Sequence, residues 1–395
     1  MCRPPIKHGY LRAAGRQIVQ VGSVKDDGVD FAAAVDLGDV ALLPRLVNSH
    51  THLEFSDCDQ PIGHPGISLA DWIGQVIRQR GKATEQQRRE NVEKGRAESS
   101  ACGVALVGDI ATTPSVYPIQ HLTRVVSFAE VLGLSAERSA ERMAAAEAHH
   151  ASLQGNEHVQ FGISPHAPYS TPPDLIRRCV QLANRSGATL SMHVAESGAE
   201  RMLLENGRGA FAESLRAGGL WRDGIFPWPG GHPLLDLIDT LAAAPRVLLV
   251  HGNDLRTEEI DRIARHRRIS VVYCPRTHHF FGYPDHPVQS LLEAGIRVVL
   301  GTDSRASNPD LNLWKEVQFL LNHRTDLDPY AILKMATVAG ADALLGAGSE
   351  IGTITAGSTR IDDLVSLETD GKTLDQVWHD FAKRELLCTG VVGRS

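Results

Sequence analysis

Eight short apolar runs, each rich in β-branched residues and most of them separated by helix-like stretches, constrain this chain more than any other feature. They lie at residues 40–48, 104–110, 124–131, 159–164, 189–194, 247–251, 269–273 and 297–302. Charged or Ala-rich segments at 84–100, 136–150, 172–186, 258–265 and 288–294 read as helices, several opened by Pro or by an Asp or Thr cap. Apolar strands alternating with helices imply a parallel sheet covered on both faces. Eight such units predict an α/β fold of the closed (β/α)8, or TIM-barrel, type. In that architecture chemistry sits at the C-terminal ends of the strands, so reactive side chains should gather where each apolar run stops.

They do. The first run ends in His50-Thr51-His52, two imidazoles two residues apart, which on a strand point to one side and can reach one ion. The fourth ends in Ser164-Pro165-His166, the fifth in His193-Val194-Ala195-Glu196, the sixth in His251-Gly252-Asn253-Asp254 and the eighth in Gly301-Thr302-Asp303-Ser304. A single histidine of this kind could equally be a packed core residue; five in register along one rim favour a site. His50, His52, His193 and Asp303 offer three nitrogens and one oxygen, a set that suits one divalent ion, zinc as the first expectation and ferrous iron as the second. Such an ion lowers the pKa of a water toward about 7 and so makes hydroxide the nucleophile. Glu196, three residues past His193, suits a proton shuttle, the alternative being a first-turn carboxylate of the next helix. His251 reads as a group beside the reacting centre or as a packed histidine. Asp303 can both bind the ion and accept a proton from the attacking water.

Composition narrows the partner. The 395 residues, 42% hydrophobic, suffice for one large domain with an accessory module. A formal charge of -7 argues against a broad nucleic-acid or anionic-membrane surface and for a small-molecule substrate. Six scattered cysteines without a C-x-x-C pair fit neither a disulfide framework nor a structural zinc site. With no run of signal-peptide or membrane-spanning character, a cytoplasmic location is expected, and assembly into a homo-oligomer is left open. At the two ends, residues 10–13, 17–21, 31–37, 352–354 and 363–367 read as short strands. We expect residues 1–39 and 347–395 to pair into an accessory β-domain beside a barrel of residues 40–346. The Gly-, Pro- and Trp-rich insertion at 221–231 reads as a lid or a surface loop.

In order along the chain, Leu46-Val47-Asn48-Ser49-His50-Thr51-His52, Ser164-Pro165-His166-Ala167-Pro168-Tyr169, His193-Val194-Ala195-Glu196, His251-Gly252 and Gly301-Thr302-Asp303-Ser304 resemble the motifs of the amidohydrolase superfamily. They are similar above all to its mononuclear deaminases of S-adenosylhomocysteine, methylthioadenosine and aminofutalosine. The resemblance spans nearly the whole chain and implies a metal-dependent aminohydrolase acting on a purine nucleoside-like substrate. By it His50, His52, His193 and Asp303 are ligands, Glu196 and His251 handle protons, and His166 contacts substrate. No lysine follows the fourth strand, where two-metal relatives carry a bridging one, so a single metal is implied. His52-Leu53-Glu54-Phe55-Ser56-Asp57 with Asp71-Trp72-Ile73 is closest to the aminofutalosine branch. Glu54 then meets a ribose hydroxyl or the base, or is an ordinary loop carboxylate. Arg276, in Cys274-Pro275-Arg276-Thr277-His278-His279 where relatives carry Pro-x-Ser-Asn, is a candidate for a substrate carboxylate or a solvated loop residue. Arg45, where a Gly usually stands, is a further departure. The alternatives are a chlorohydrolase or other ring hydrolase with the same site, and an inactive binding relative.

Overall fold

The computed structural model describes residues 5–25, 31, 34–80, 83–112, 117, 123–222, 224–226 and 231–387. A hairpin of β1 (Gly9–Ala14) and β2 (Gln17–Ser23) precedes β3 (Val40–Pro44). The barrel strands are β4 (Leu46–Thr51), β5 (Val104–Ala111), β6 (Arg124–Val131), β7 (Val159–Pro165), β8 (Thr189–Val194), β9 (Arg246–His251), β10 (Ile269–Tyr273) and β11 (Arg297–Leu300). They form one parallel sheet in chain order from β4 to β11, with helices between them. This is the (β/α)8 barrel expected from the alternating pattern. Among the described residues no helix is long and apolar enough to cross a membrane.

The apolar run at 40–48 is two strands rather than one. The chain breaks at Arg45: β3 pairs antiparallel with β12 (Leu364–Glu368), and only β4 enters the barrel. Arg45 is buried here, its guanidinium donating to the carbonyls of Val104 and Ser100 at 2.8 and 3.2 Å. An arginine can therefore stand where a compact residue was expected. The chain ends meet through Ile18 N–H to Thr359 O, Gly357 N–H to Ile18 O and a bridge between Gln17 and Arg360. Of the strand expected at 31–37, residues 32 and 33 lie outside the described residues and the remainder carry no strand. Residues 352–354 carry no strand either.

Alternation along each strand separates two cores. On β6, Val125, Ala129 and Val131 join the large cluster under the helices, while Val126 and Phe128 join an inner cluster with Val47, Leu106, Ile110, Leu248, Val250, Val272 and Val299. The Phe128 ring lies over Gly108 and Gly162 on the neighbouring strands, where any Cβ would come within 3.1 and 2.4 Å of it. Helix Val338–Leu345 contributes Ala339, Ala341, Ala343 and Leu344 to this cluster, and Thr189 at the start of β8 donates to Leu344 O at 2.8 Å. That closes the N-terminal end of the barrel and leaves the other end for chemistry.

Between β11 and β4 the barrel is sutured by side chains instead of a regular ladder. Asn48 Nδ2 donates to Thr302 Oγ1 at 2.8 Å and its Oδ1 accepts from Thr302 N–H at 3.1 Å, both fully buried. Asp303 N–H reaches His50 O at 3.1 Å, and a Cβ on Gly301 would sit 2.9 Å from that oxygen. The suture thus sets the spacing between two expected metal ligands. Asn48→Ala should lower stability by about 1–3 kcal/mol, because Thr302 N–H is left buried without its acceptor. Urea unfolding measures this, and an unchanged midpoint would remove Asn48 from the closure.

Candidate active site and metal centre

Three imidazoles converge at the open end of the barrel. One ring nitrogen from each of His50, His52 and His193 lies within 4.8 Å of the other two. Asp303 Oδ1 stands 3.5 Å from His50 Nε2 and 3.6 Å from His52 Nε2. Both ring nitrogens of His50 are buried without a hydrogen-bond partner, a costly state for imidazole unless something else binds it. His193 Nδ1 is 2.8 Å from His166 O, which fixes the donor on Nδ1 and leaves the Nε2 lone pair free, an orientation common to metal-bound histidines. Burial pushes His52 and His193 well below the ordinary imidazole pKa, so both are neutral as ligands must be. Asp303 is held ionised: burial opposes the charge, but His50, His52 and His251 outweigh it and lower the pKa. An orphaned imidazole, a correctly tethered tautomer and an ionised carboxylate fit one divalent cation.

The proton-handling pair sits beside this cluster. His251 Nε2 is 3.5 Å from Glu196 Oε1, and the His251 ring stacks on His193 with centroids 5.5 Å apart. Leu248 and Val250 face the inner core, so regular alternation would turn His251 outward; a left-handed φ of 71° swings it into the mouth. Ala195 at 53° and Asp303 at 56° share that conformation. Each such residue costs on the order of 1–3 kcal/mol and persists only where its surroundings hold it. Here they do. Glu200 accepts from Ala195 N–H at 2.7 Å and Glu196 N–H at 3.3 Å, Asn253 Nδ2 donates to Glu196 O at 3.0 Å, and Ser307 Oγ donates to Asp303 Oδ2 at 2.8 Å. Arg201 binds Glu259 at 2.6 and 2.8 Å and Asp254 at 2.5 Å, tying the segment after β8 to the one after β9. Burial, with Asp303 and Glu200 nearby, raises the Glu196 pKa well above the carboxylate range.

The expected substrate contacts divide. His166 lies against the site, its ring 5.1 Å from His193, with Nδ1 2.6 Å from Ser170 Oγ and its pKa lowered to about 3 by burial. Glu54 is buried and already bound by Arg80 and the Thr112 hydroxyl. Arg276 is committed elsewhere. Its guanidinium donates to Glu316 Oε1 at 2.7 Å and to both Asp310 oxygens at 2.7 and 3.1 Å, and Glu316 is fully buried. The guanidinium expected to meet a substrate carboxylate thus already holds two carboxylates of its own chain. Arg276→Ala should cost about 3–5 kcal/mol by leaving Glu316 buried and unpaired. Loss of substrate affinity at unchanged stability, by thermal unfolding, would restore it as a contact. Within the 221–231 insertion, Trp221 packs under Arg216 at 4.3 Å; residues 223 and 227–230 lie outside the described residues.

Glu200, Ser307 and Glu130 escaped the sequence reading. Glu200 follows Glu196 by one helical turn, and Glu130 stands where the third apolar run stops, so the strand-end rule applied to that run would have found it. Ser307 carries no such signal.

A barrel with three imidazoles, one carboxylate and an adjoining acid–histidine pair at its open end defines a metal-binding hydrolase scaffold. The chain belongs to the amidohydrolase family, which it matches over residues 41–386. It is 30% identical over 332 residues to an aminodeoxyfutalosine deaminase of Deinococcus radiodurans, covering 80% of this chain and 75% of that protein. It is 29% identical over 377 residues to a 5-methylthioadenosine/S-adenosylhomocysteine deaminase of Halalkalibacterium halodurans, covering 90% and 79%. The fold matches a crystal structure of Helicobacter pylori aminofutalosine deaminase in complex with methylthio-coformycin, with a TM-score of 0.79 at 23% identity over 96% of this chain and 93% of that one.

Proposed function

We propose that this chain is a metal-dependent hydrolytic deaminase that removes the amino group of a purine nucleoside-like substrate, of the aminofutalosine or adenosine type, and releases ammonia. The observation that carries the reading is the Glu196–His251 pair, 3.5 Å apart against the His50–His52–His193 cluster. A divalent ion, zinc as the first expectation and ferrous iron as the second, would be held by these three histidines and Asp303 and would supply Lewis acidity that brings the pKa of a water toward about 7.

Glu196, kept protonated by its burial, donates to the ring nitrogen next to the carbon bearing the amino group. The oxygen of water bonds to that carbon and one of its protons passes to Asp303, an ionised carboxylate beside the cluster. His251 hydrogen-bonds the oxygen of the resulting adduct. The carbon–nitrogen bond then breaks as the leaving amine takes up the proton held by Asp303, and the hydroxyl proton of the adduct passes back to Glu196 as the carbonyl forms and ammonia leaves. Burial of the whole set excludes bulk water and strengthens each of these contacts.

Purified protein assayed for ammonia with adenosine, methylthioadenosine, S-adenosylhomocysteine and aminodeoxyfutalosine tests the reading. At least one nucleoside should be turned over; turnover of guanine or cytosine alone would overturn it.

A further inference from the structure

Glu130 closes β6. Val126 and Phe128 face the inner core, so alternation carries Glu130 to the same side, one step above Phe128 at the rim. Its Oε1 lies 4.0 Å from His166 Nε2, and His166 packs against His193. Only 5% of the residue is exposed, yet Oε2 has no hydrogen-bond partner. The nearest cation is Arg80, whose Nη2 stands 3.8 Å away and already serves Glu54 and Thr112. Two carboxylates thus share one guanidinium, and only Glu54 is satisfied.

A buried carboxylate oxygen without a donor is costly, and the cheapest remedy is a ligand that brings one. Burial raises the Glu130 pKa and the Arg80 guanidinium opposes the rise; as the carboxylate beside that guanidinium the group can only accept, so the ligand group must carry O–H or N–H. A carboxylate-bearing group on this wall would face both Glu54 and Glu130. Neutral hydroxyls fit better. We propose that Glu130 accepts hydrogen bonds from the sugar hydroxyls of the substrate and is a specificity-determining residue of this site, an inference that rests on the nucleoside reading above. Glu54, the carboxylate that the sequence suggested for this task, instead orients Arg80.

The test compares adenosine with 2′,3′-dideoxyadenosine as substrates for the metal-replete wild type and for Glu130→Ala and Glu130→Gln, reading kcat and KM separately. The wild type should prefer the riboside by roughly 10- to 100-fold in kcat/KM, the range for hydrogen bonds to a charged group. Glu130→Ala should lose a similar factor on adenosine, chiefly in KM, and almost nothing on the dideoxy analogue; Glu130→Gln, which keeps one acceptor, should fall between. Equal losses on both substrates overturn the role of Glu130 while leaving the deaminase reading standing. Should the variants not fold, equal wild-type rates on the two sugars overturn it alone. Ammonia from adenine with none from any nucleoside overturns the nucleoside reading and this inference together.

Discussion

Glu196→Gln should keep its metal and lose roughly 10²- to 10⁴-fold in turnover, the usual contribution of a positioned acid or base. The substitution is nearly isosteric, and the loop is held by main-chain contacts that it leaves alone. Glu200 holds the Glu196 N–H, Asn253 holds its carbonyl, and neither contact involves the carboxyl group. An amide cannot pass a proton to a ring nitrogen. Elemental analysis should therefore return wild-type metal content while ammonia release collapses. A rate within a few-fold of wild type would remove Glu196 from the mechanism.

Asp303→Ala should act on the metal itself. Asp303 brings a carboxylate to the imidazole cluster, 3.5 and 3.6 Å from His50 and His52. Its other oxygen is held by Ser307, so the group is aimed as well as charged. Removing a supporting partner such as Ser307 typically costs roughly 10–100-fold in metal affinity, and removing the ligand should cost more. The two variants form a series: Ser307→Ala binds zinc more weakly, and Asp303→Ala more weakly still, with activity falling in parallel. Competition with a chromophoric chelator reads both affinities. Full occupancy in Asp303→Ala under such competition would exclude it as a ligand.

Much of this site is legible in the sequence because barrel strands are buried on both faces, so each stands out as an apolar run with a polar stop. His50, His52, His193, Glu196, His251 and Asp303 all lie at such stops, and the structure gathers them at one end. What the pattern hides is competition among neighbours. Arg276 looks free in the sequence and is bound by Glu316, 40 residues later; Glu54 looks like a ribose contact and is already paired with Arg80. Long-range ion pairs leave no periodicity to read. The break at Arg45 is hidden for a related reason, since apolar residues continue across it while the strands change sheets. The reversal at His251 depends on a backbone angle that its sequence neighbours do not announce.

The most direct measurement is a titration of metal-free protein with zinc, following both metal bound and ammonia released from a nucleoside that the wild type accepts. The proposed site predicts that activity rises in proportion to metal and stops at one equivalent per chain, and that chelation abolishes it. Full activity in the metal-free protein, or a requirement for a second equivalent, would contradict a single catalytic ion held by His50, His52, His193 and Asp303.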